Sequence, residues 1–164
     1  MRALVSLGSN LGDRGLQLRS AVARLAVLLV DLRISPVYVT SPVDFLAQDD
    51  FFNLAVSGES GAAPEDLLAA FLAIERGLGR ERLLPKGPRL IDIDLIYFGD
   101  RVLRNPGLTL PHPSRLTRKF VLEPLASIEG SFRDPVSGIP IRELAAAFND
   151  PAQQIRVLGP LDEA

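Results

Sequence analysis

The spacing of hydrophobic and polar residues changes along the chain, and each change indicates the start of another predicted strand, turn or helix. Residues 3–7 are mostly apolar and run into a stretch rich in Gly, Ser and Asn at 8–13. This pattern predicts a buried strand followed by a turn, because such residues tolerate the backbone angles of tight turns. The next apolar side chains recur at helical spacing and predict an amphipathic helix: Leu18, Val22, Leu25 and Leu29.

A second set of elements follows in similar order. Residues 34–40, which Pro36 interrupts, are expected to form an edge strand or a bulged strand, and residues 52–56 another strand. Pro64 and two acidic residues begin a second helix. Residues 90–98 form the clearest strand pattern of the chain, and Gly99 and Asp100 are expected to turn it into a hairpin with residues 101–103.

The order β-α-β-β-α-β predicts an α+β fold, a ferredoxin-like α/β sandwich with helices on one face of a mainly antiparallel sheet. Residues 141–148 are expected to form a last short helix, and residues 149–164 a C-terminal appendage. The length of 164 residues fits a single domain over 1–164.

Composition narrows the functional classes. The chain has no Cys, and its apolar stretches, such as 25–30, are far shorter than the roughly 18 residues of a membrane span. We expect a cytoplasmic monomer without a membrane partner. A net charge of −2 argues against a surface devoted to nucleic acid. Residues 76–118 nevertheless hold nine basic side chains against four acidic ones, and Arg, which grips phosphate oxygens in a bidentate manner, dominates them.

The strongest candidate chemistry lies in the strand at 90–98. Asp92 and Asp94 are two residues apart and therefore project from one face, while Ile91, Ile93 and Leu95 project from the other. Two like charges on an apolar strand repel each other unless a cation lies between them, and such oxygen ligands suit Mg²⁺ that also binds phosphate. The alternative is a solvent-facing strand whose acids pair with nearby Arg side chains.

Basic residues flank this strand. Arg80, Arg82 and Arg89 precede it, and His112 follows in a stiff Pro-His-Pro segment ahead of Arg118. A polyphosphate and its metal would find cations and carboxylates close together here. His112 is equally interpretable as an ordinary surface residue. The Gly-rich turn at 8–12 lacks the Lys-Ser/Thr ending of a phosphate loop and the spacing of a dinucleotide fingerprint, so we reject both interpretations.

Together these motifs resemble the 6-hydroxymethyl-7,8-dihydropterin pyrophosphokinase family of folate biosynthesis. The resemblance runs from Leu4 to about Pro124. The motifs that carry it are Leu-Gly-Ser-Asn-Leu-Gly-Asp at 7–13, Val-Tyr-Val-Thr-Ser-Pro at 37–42, Phe-Phe-Asn at 51–53, Ile-Glu at 74–75, Gly-Arg-Glu-Arg at 79–82, Gly-Pro-Arg-Leu-Ile-Asp-Ile-Asp at 87–94, Leu-Pro-His-Pro at 110–113 and Arg-Lys-Phe-Val-Leu at 118–122.

The resemblance implies transfer of the terminal diphosphate of ATP to the pterin hydroxymethyl oxygen, with release of AMP. It implies that Asp92 and Asp94 bind two Mg²⁺ ions, and that Arg80 and Arg82 act in catalysis with them. The implied ATP contacts are Glu75, Arg80, Arg82, Arg89, His112 and Arg118. The implied pterin contacts are Thr40, Ser41, Pro42, Val43, Phe51, Asn53 and Phe120, with the two Phe rings on either side of the pterin.

Two departures and two rival functions accompany this resemblance. Lys86 stands where many members have an aromatic residue, and Ser41 where relatives often have Pro. Residues 80–88 are irregular and basic, and we expect them to close over bound ATP. An RNA-recognition module is a rival, although the aromatic pattern of such modules is absent and two acids would repel phosphodiesters. A catalytically silent relative is the other rival.

Overall fold

The computed structural model describes residues 1–41, 49–79 and 90–164. Among the described residues, each half of the chain contributes four strands and two α-helices, and a short 3₁₀ helix follows near the C-terminus. Their bounds are β1 Arg2–Ser9, α1 Arg14–Leu25, β2 Val30–Ile34, β3 Val37–Thr40, β4 Phe51–Glu59, α2 Pro64–Gly77, β5 Asp92–Phe98, β6 Leu103–Asn105, β7 Leu108–Leu110, α3 Lys119–Glu129, α4 Ile141–Ala147, β8 Ile155–Gly159 and a short 3₁₀ helix at Leu161–Glu163.

One sheet organises the described residues. Its strands lie in the order β5-β1-β4-β3-β8, and β2 also pairs with β4, beside the start of β3. Every pairing in it is antiparallel, so the predicted α+β sandwich with a mainly antiparallel sheet is confirmed. β1 and β4 are central, and their mostly buried side chains reflect cover on both faces of the sheet.

The first face of the sheet packs against α1 and α2. Val5 and Leu7 from β1 join Ile93 and Leu95 from β5 in one apolar cluster with the inner sides of both helices. Asp13 caps α1, since its Oδ1 accepts the Leu16 N–H at 2.9 Å. The apolar stripe predicted from helical spacing is therefore the side of α1 that faces the sheet.

The second face is also covered, so the expectation of helices on one face only is wrong. Leu4, Ala55 and Ile96 form a separate apolar cluster with α3. A bulge where β1 pairs with β5 shifts the register after Leu4, so that Ile96 and Tyr97 both join this cluster. α4 packs beside α3. No helix in the described parts of the chain is long and apolar enough to cross a membrane.

Three further expectations need correction. β3 lies between β4 and β8, so the edge-strand alternative for 34–40 is wrong, whereas the register shift between Val37 and Tyr38 agrees with the bulged-strand alternative. The hairpin after Gly99 forms between β6 and β7, because the chain passes the end of β5 without pairing back to it. Residues 149–164 are not an appendage: β8 extends the sheet at β3, and the last residue, Ala164, packs against the first-face core. Most residues of β8 are exposed, so the sequence gave little indication that this strand pairs with β3.

Candidate active site

The polar residues of the second face lie beyond the start of α3. Ser6 of β1 pairs with Asp94, and Gly8 pairs with Asp92 on one side and Asn53 on the other. Directly paired residues share a face, so these five positions form one polar patch across three strands. The small side chains of the central strand keep the floor of this patch low. We call it the polar groove.

The two acids of β5 lie at the wall of the polar groove. Asp92 and Asp94 are half-buried, while Ile93 and Leu95 between and after them are each 3% exposed on the opposite face. The structure thus has the alternation that the sequence predicts. Among the described residues, no three His, Asp or Glu side chains gather as a metal site. Two carboxylates on one face leave room for phosphate oxygens and water as further ligands of a Mg²⁺ ion.

Glu75 holds the backbone between the two acids. It lies near the end of α2, is 2% exposed, and its Oε1 accepts the Ile93 N–H at 2.8 Å. Among the described residues β5 is the edge of the sheet, so within them this amide has no strand partner on that side. The buried carboxylate therefore fixes the stretch of β5 that carries Asp92 and Asp94. Its expected contact with ATP stays a prediction.

Arg118 and Phe120 reach the groove from the start of α3. Arg118 Nη1 lies 3.7 Å from Asp94 Oδ2, and both side chains are about a third exposed. The same guanidinium lies 5.6 Å from the centre of the Phe120 ring. A partly exposed ion pair of this length contributes little stability. If Arg118 turned from Asp94 to a phosphate oxygen, little free energy of folding would therefore be lost.

His112 is held as a neutral donor. Its backbone N–H donates to the Ile96 carbonyl at 2.9 Å, and its Nδ1 accepts the Ser114 N–H at 3.2 Å. Burial lowers the pKa of His112, the charge of Arg118 lowers it further, and Asp92 opposes both. The imidazole is therefore neutral at pH 7, and its proton lies on Nε2, available to an oxygen acceptor.

The residues expected to bind a pterin meet on neighbouring strands. Asn53 of β4 donates from Nδ2 to Thr40 Oγ1 of β3 at 2.7 Å, and both side chains are buried. Phe51 pairs with Thr40 in the same ladder, and Ser41 follows directly, half-buried. These four positions therefore lie together beside the polar groove. The other predictions concern residues outside the described ranges: the contacts of Pro42, Val43, Arg80, Arg82 and Arg89, and the closure of residues 80–88, which include Lys86.

Two contacts at this end of the sheet were not expected. Asn10 Nδ2 donates to the Asp49 carbonyl at 3.3 Å, and Arg14 Nη1 donates to the Asp50 carbonyl at 2.7 Å. The Arg14 guanidinium also lies 4.0 Å above the Phe52 ring. Both donors come from or just after the Gly-rich turn, so that turn serves to anchor the entry to β4. The only indication of these contacts in the sequence was that Asn10 and Arg14 are polar and follow a buried strand.

A buried ionic network supports the segment around His112. Asp134 is fully buried, and it accepts hydrogen bonds from the Arg115 guanidinium, the Tyr97 hydroxyl and two backbone amides. Burial alone would raise the pKa of Asp134, but these hydrogen bonds outweigh it and lower the pKa to about 2. Arg115 is therefore committed to a structural partner, unlike Arg118.

This network predicts a specific loss of stability in acid. The pKa of Asp134 is 3.8 in its ordinary state and about 2 when folded. The ionised form therefore contributes about 2 kcal/mol above pH 4, which is lost as the pH falls from about 4 to about 2. We expect Asp134→Asn to flatten this part of the pH profile in urea unfolding. The exposed Asp162→Asn should leave the profile unchanged, and a steep acid slope retained in Asp134→Asn would contradict the assignment.

The fold and the groove together define an α+β sandwich enzyme whose paired carboxylates face cationic and imidazole side chains. The model of the 7,8-dihydro-6-hydroxymethylpterin-pyrophosphokinase (HPPK) family matches residues 4–130. The chain belongs to this family. The predicted family is thereby confirmed, and relatives that share most of their length with this chain carry the name of the pyrophosphokinase.

Individual relatives agree with the family match. A 2-amino-4-hydroxy-6-hydroxymethyldihydropteridine pyrophosphokinase of Synechocystis sp. is 40% identical over 87% of this chain and 73% of its own length. The protein of that name from Pseudomonas aeruginosa is 38% identical over 89% of this chain and 91% of its own.

Longer proteins also match. The chain is 37% identical to the folic acid synthesis protein fol1 of Pneumocystis carinii over 84% of its own residues, but spans only 19% of that protein. A solved HPPK-DHPS of Plasmodium falciparum superposes with a TM-score of 0.71 over 88% of this chain and 42% of the other, at 15% identity. At that identity the likeness concerns the fold alone.

Proposed function

We propose that this chain transfers the terminal diphosphate of ATP to the hydroxymethyl oxygen of 6-hydroxymethyl-7,8-dihydropterin and releases AMP. The pterin oxygen would attack the β-phosphorus, and the bond from that phosphorus to the α-phosphate oxygen would break. The observation that carries the proposal is the polar groove. Its two carboxylates lie near Arg118 and His112, and the Asn53–Thr40 pair lies on the strands that follow β1 in the sheet.

We propose Asp92 and Asp94 as the ligands of two Mg²⁺ ions. The fit rests on the donor set: two half-buried carboxylates on one face, with their backbone fixed by Glu75. Few hard oxygen ligands from protein are what Mg²⁺ needs when phosphate and water complete its shell. When bound, Mg²⁺ would neutralise charge on the phosphates and align them with the accepting hydroxyl.

The nucleotide would lie against the end of the groove formed by α3 and the segment before it. His112 Nε2–H would donate to an oxygen of the nucleotide, and Arg118 would exchange Asp94 for a phosphate oxygen. The other proposed ATP contacts are Glu75, Arg80, Arg82 and Arg89, with Arg80 and Arg82 stabilising charge on the transferring group.

The pterin would lie beside the carboxylates, at the ends of β3 and β4. Asn53 would read its amide edge, since the Thr40 hydroxyl already fixes the side-chain orientation. Phe51 and Phe120 are half-buried and would contact the two faces of the ring. Ser41, Pro42 and Val43 complete the proposed contacts. We further propose a monomer, a single domain over 1–164, a cytosolic location and closure of residues 80–88 over ATP.

The test is a product assay. The chain is incubated with ATP, Mg²⁺ and the pterin, and nucleotides are separated by chromatography. We expect AMP to accumulate in equal amount to the pterin diphosphate and only when pterin is present. Chelation of Mg²⁺ should stop the reaction. Formation of ADP, or the absence of turnover, would contradict the proposal and favour a silent member of the family.

A further inference from the structure

The C-terminal segment contacts the chain on both sides of Arg118. Gln153 is 9% exposed, and its Nε2 donates to the Thr117 carbonyl at 2.9 Å. Its Oε1 accepts the Lys119 N–H at 2.8 Å. A single buried side chain thus bonds to the residue before Arg118 and to the residue after it.

The orientation of this amide is fixed by a second contact. Nε2 of Gln153 also donates to Asp150 Oδ2 at 2.9 Å. The other carboxylate oxygen of Asp150 accepts the Ala152 N–H at 3.0 Å, which closes a turn. A flipped amide would bring its oxygen against two acceptors and its nitrogen against a donor. Gln153 is therefore held in one orientation, with both amide protons used.

Arg118 lies at a position that needs such support. It is the N-cap of α3, and its side chain makes no capping hydrogen bond. The Lys119 N–H is one of the first amides of the helix, which have no acceptor within it. Gln153 supplies that acceptor from a distant segment. The guanidinium of Arg118 remains directed at Asp94 and the Phe120 ring.

We propose that Gln153 is a positioning residue for Arg118 and that the C-terminal segment thereby takes part in nucleotide binding. The inference rests on the proposed function, which assigns Arg118 to ATP. Residue 153 lies beyond residues 4–130, the range that the family model matches. Arg118, inside the matched range, is therefore supported by Gln153, which lies outside that range.

The test compares Gln153→Ala with Gln154→Ala. Gln154 is the exposed neighbour, so the control removes the same atoms from the same segment. Gln153 borders an open cleft between α3, α4 and the C-terminal segment, so water can reach the Thr117 carbonyl and the Lys119 amide after truncation. We expect Gln153→Ala to fold, to bind a non-hydrolysable ATP analogue about tenfold more weakly in calorimetry, and to bind pterin as before.

Two further variants separate positioning from general destabilisation. In the Arg118→Ala background, Gln153→Ala should weaken nucleotide binding no further, because the side chain that it positions is gone. Gln153→Glu keeps the acceptor for Lys119 but loses the donor to Thr117 and repels Asp150. It should weaken nucleotide binding at least as much as truncation does, because its carboxylate meets two acceptors, the Thr117 carbonyl and Asp150.

The outcomes are distinguishable from those of the product assay. Equal losses for nucleotide and pterin, additive losses with Arg118→Ala, or an unchanged nucleotide affinity would each overturn the role of Gln153. A wild-type chain that binds the analogue but forms no AMP would overturn the proposed reaction alone, since the binding comparison still stands. A chain that binds no nucleotide would overturn both.

Discussion

Asp94→Asn is expected to reduce pterin-dependent AMP formation by at least about a thousandfold. The substitution keeps the size of the side chain but replaces a charged oxygen ligand with a neutral amide, which binds Mg²⁺ poorly. Asp94 is about a third exposed and pairs with Arg118 at 3.7 Å, a distance that adds little stability. The thermal midpoint is measured in parallel, so that loss of turnover can be told from loss of the fold. Initial rates of AMP formation at saturating ATP and Mg²⁺ measure the effect.

The matched control is Asp100→Asn in the exposed turn after β5, which makes the same change of charge a few residues away. It should retain full turnover. If Asp94 served only as the partner of Arg118, Asp94→Asn would lose no more activity than Arg118→Ala. A loss of tenfold or less in Asp94→Asn would contradict the assignment of this carboxylate to the metal.

Much of the fold follows from the spacing of apolar residues. The strand at β5 and the buried sides of α1 and α2 agree with the period of their apolar positions. The packing of α3 on the second face does not follow from this spacing, because Leu4 and Ala55 come together under α3 only through the pairing of their strands. The role of β8 is invisible for a similar reason: its residues are mostly exposed, and backbone hydrogen bonds to β3 hold it in the sheet.

The candidate site divides in the same way. The shared face of Asp92 and Asp94 follows from the two-residue period of a strand. Two other features depend on contacts between segments far apart in sequence. Glu75 accepts the Ile93 amide, and Gln153 bonds to the residues on either side of Arg118. The one indication of the Glu75 contact in the sequence was that this acidic residue lies on the apolar side of α2. Nothing in the residues around Gln153 pointed to the second.

Gly8→Ala is expected to lower kcat/KM for the pterin by about a hundredfold and to leave nucleotide affinity unchanged. A Cβ on Gly8 would lie 2.8 Å from Asn53 Oδ1, closer than two such atoms can approach. Asn53 is 3% exposed and donates to Thr40 Oγ1 at 2.7 Å, so its amide cannot move aside without breaking that bond. The methyl group would displace the side chain proposed to read the pterin. Steady-state kinetics with each substrate varied in turn measure both effects.

Gly61→Ala is the control, because among the described residues other than its chain neighbours no atom lies within 4 Å of the Cβ that it would add. It should change neither kinetic parameter. A double variant tests the mechanism: in Asn53→Ala the clashing oxygen is absent, so adding Gly8→Ala should cost little more pterin affinity than Asn53→Ala alone. Additive losses would mean that the methyl group acts on the groove by another route, for instance through Phe51, whose Cδ1 would lie 3.8 Å away. Equal losses for ATP and pterin would place the damage at the carboxylates, and the narrow fit between Gly8 and Asn53 would then have no part in pterin recognition.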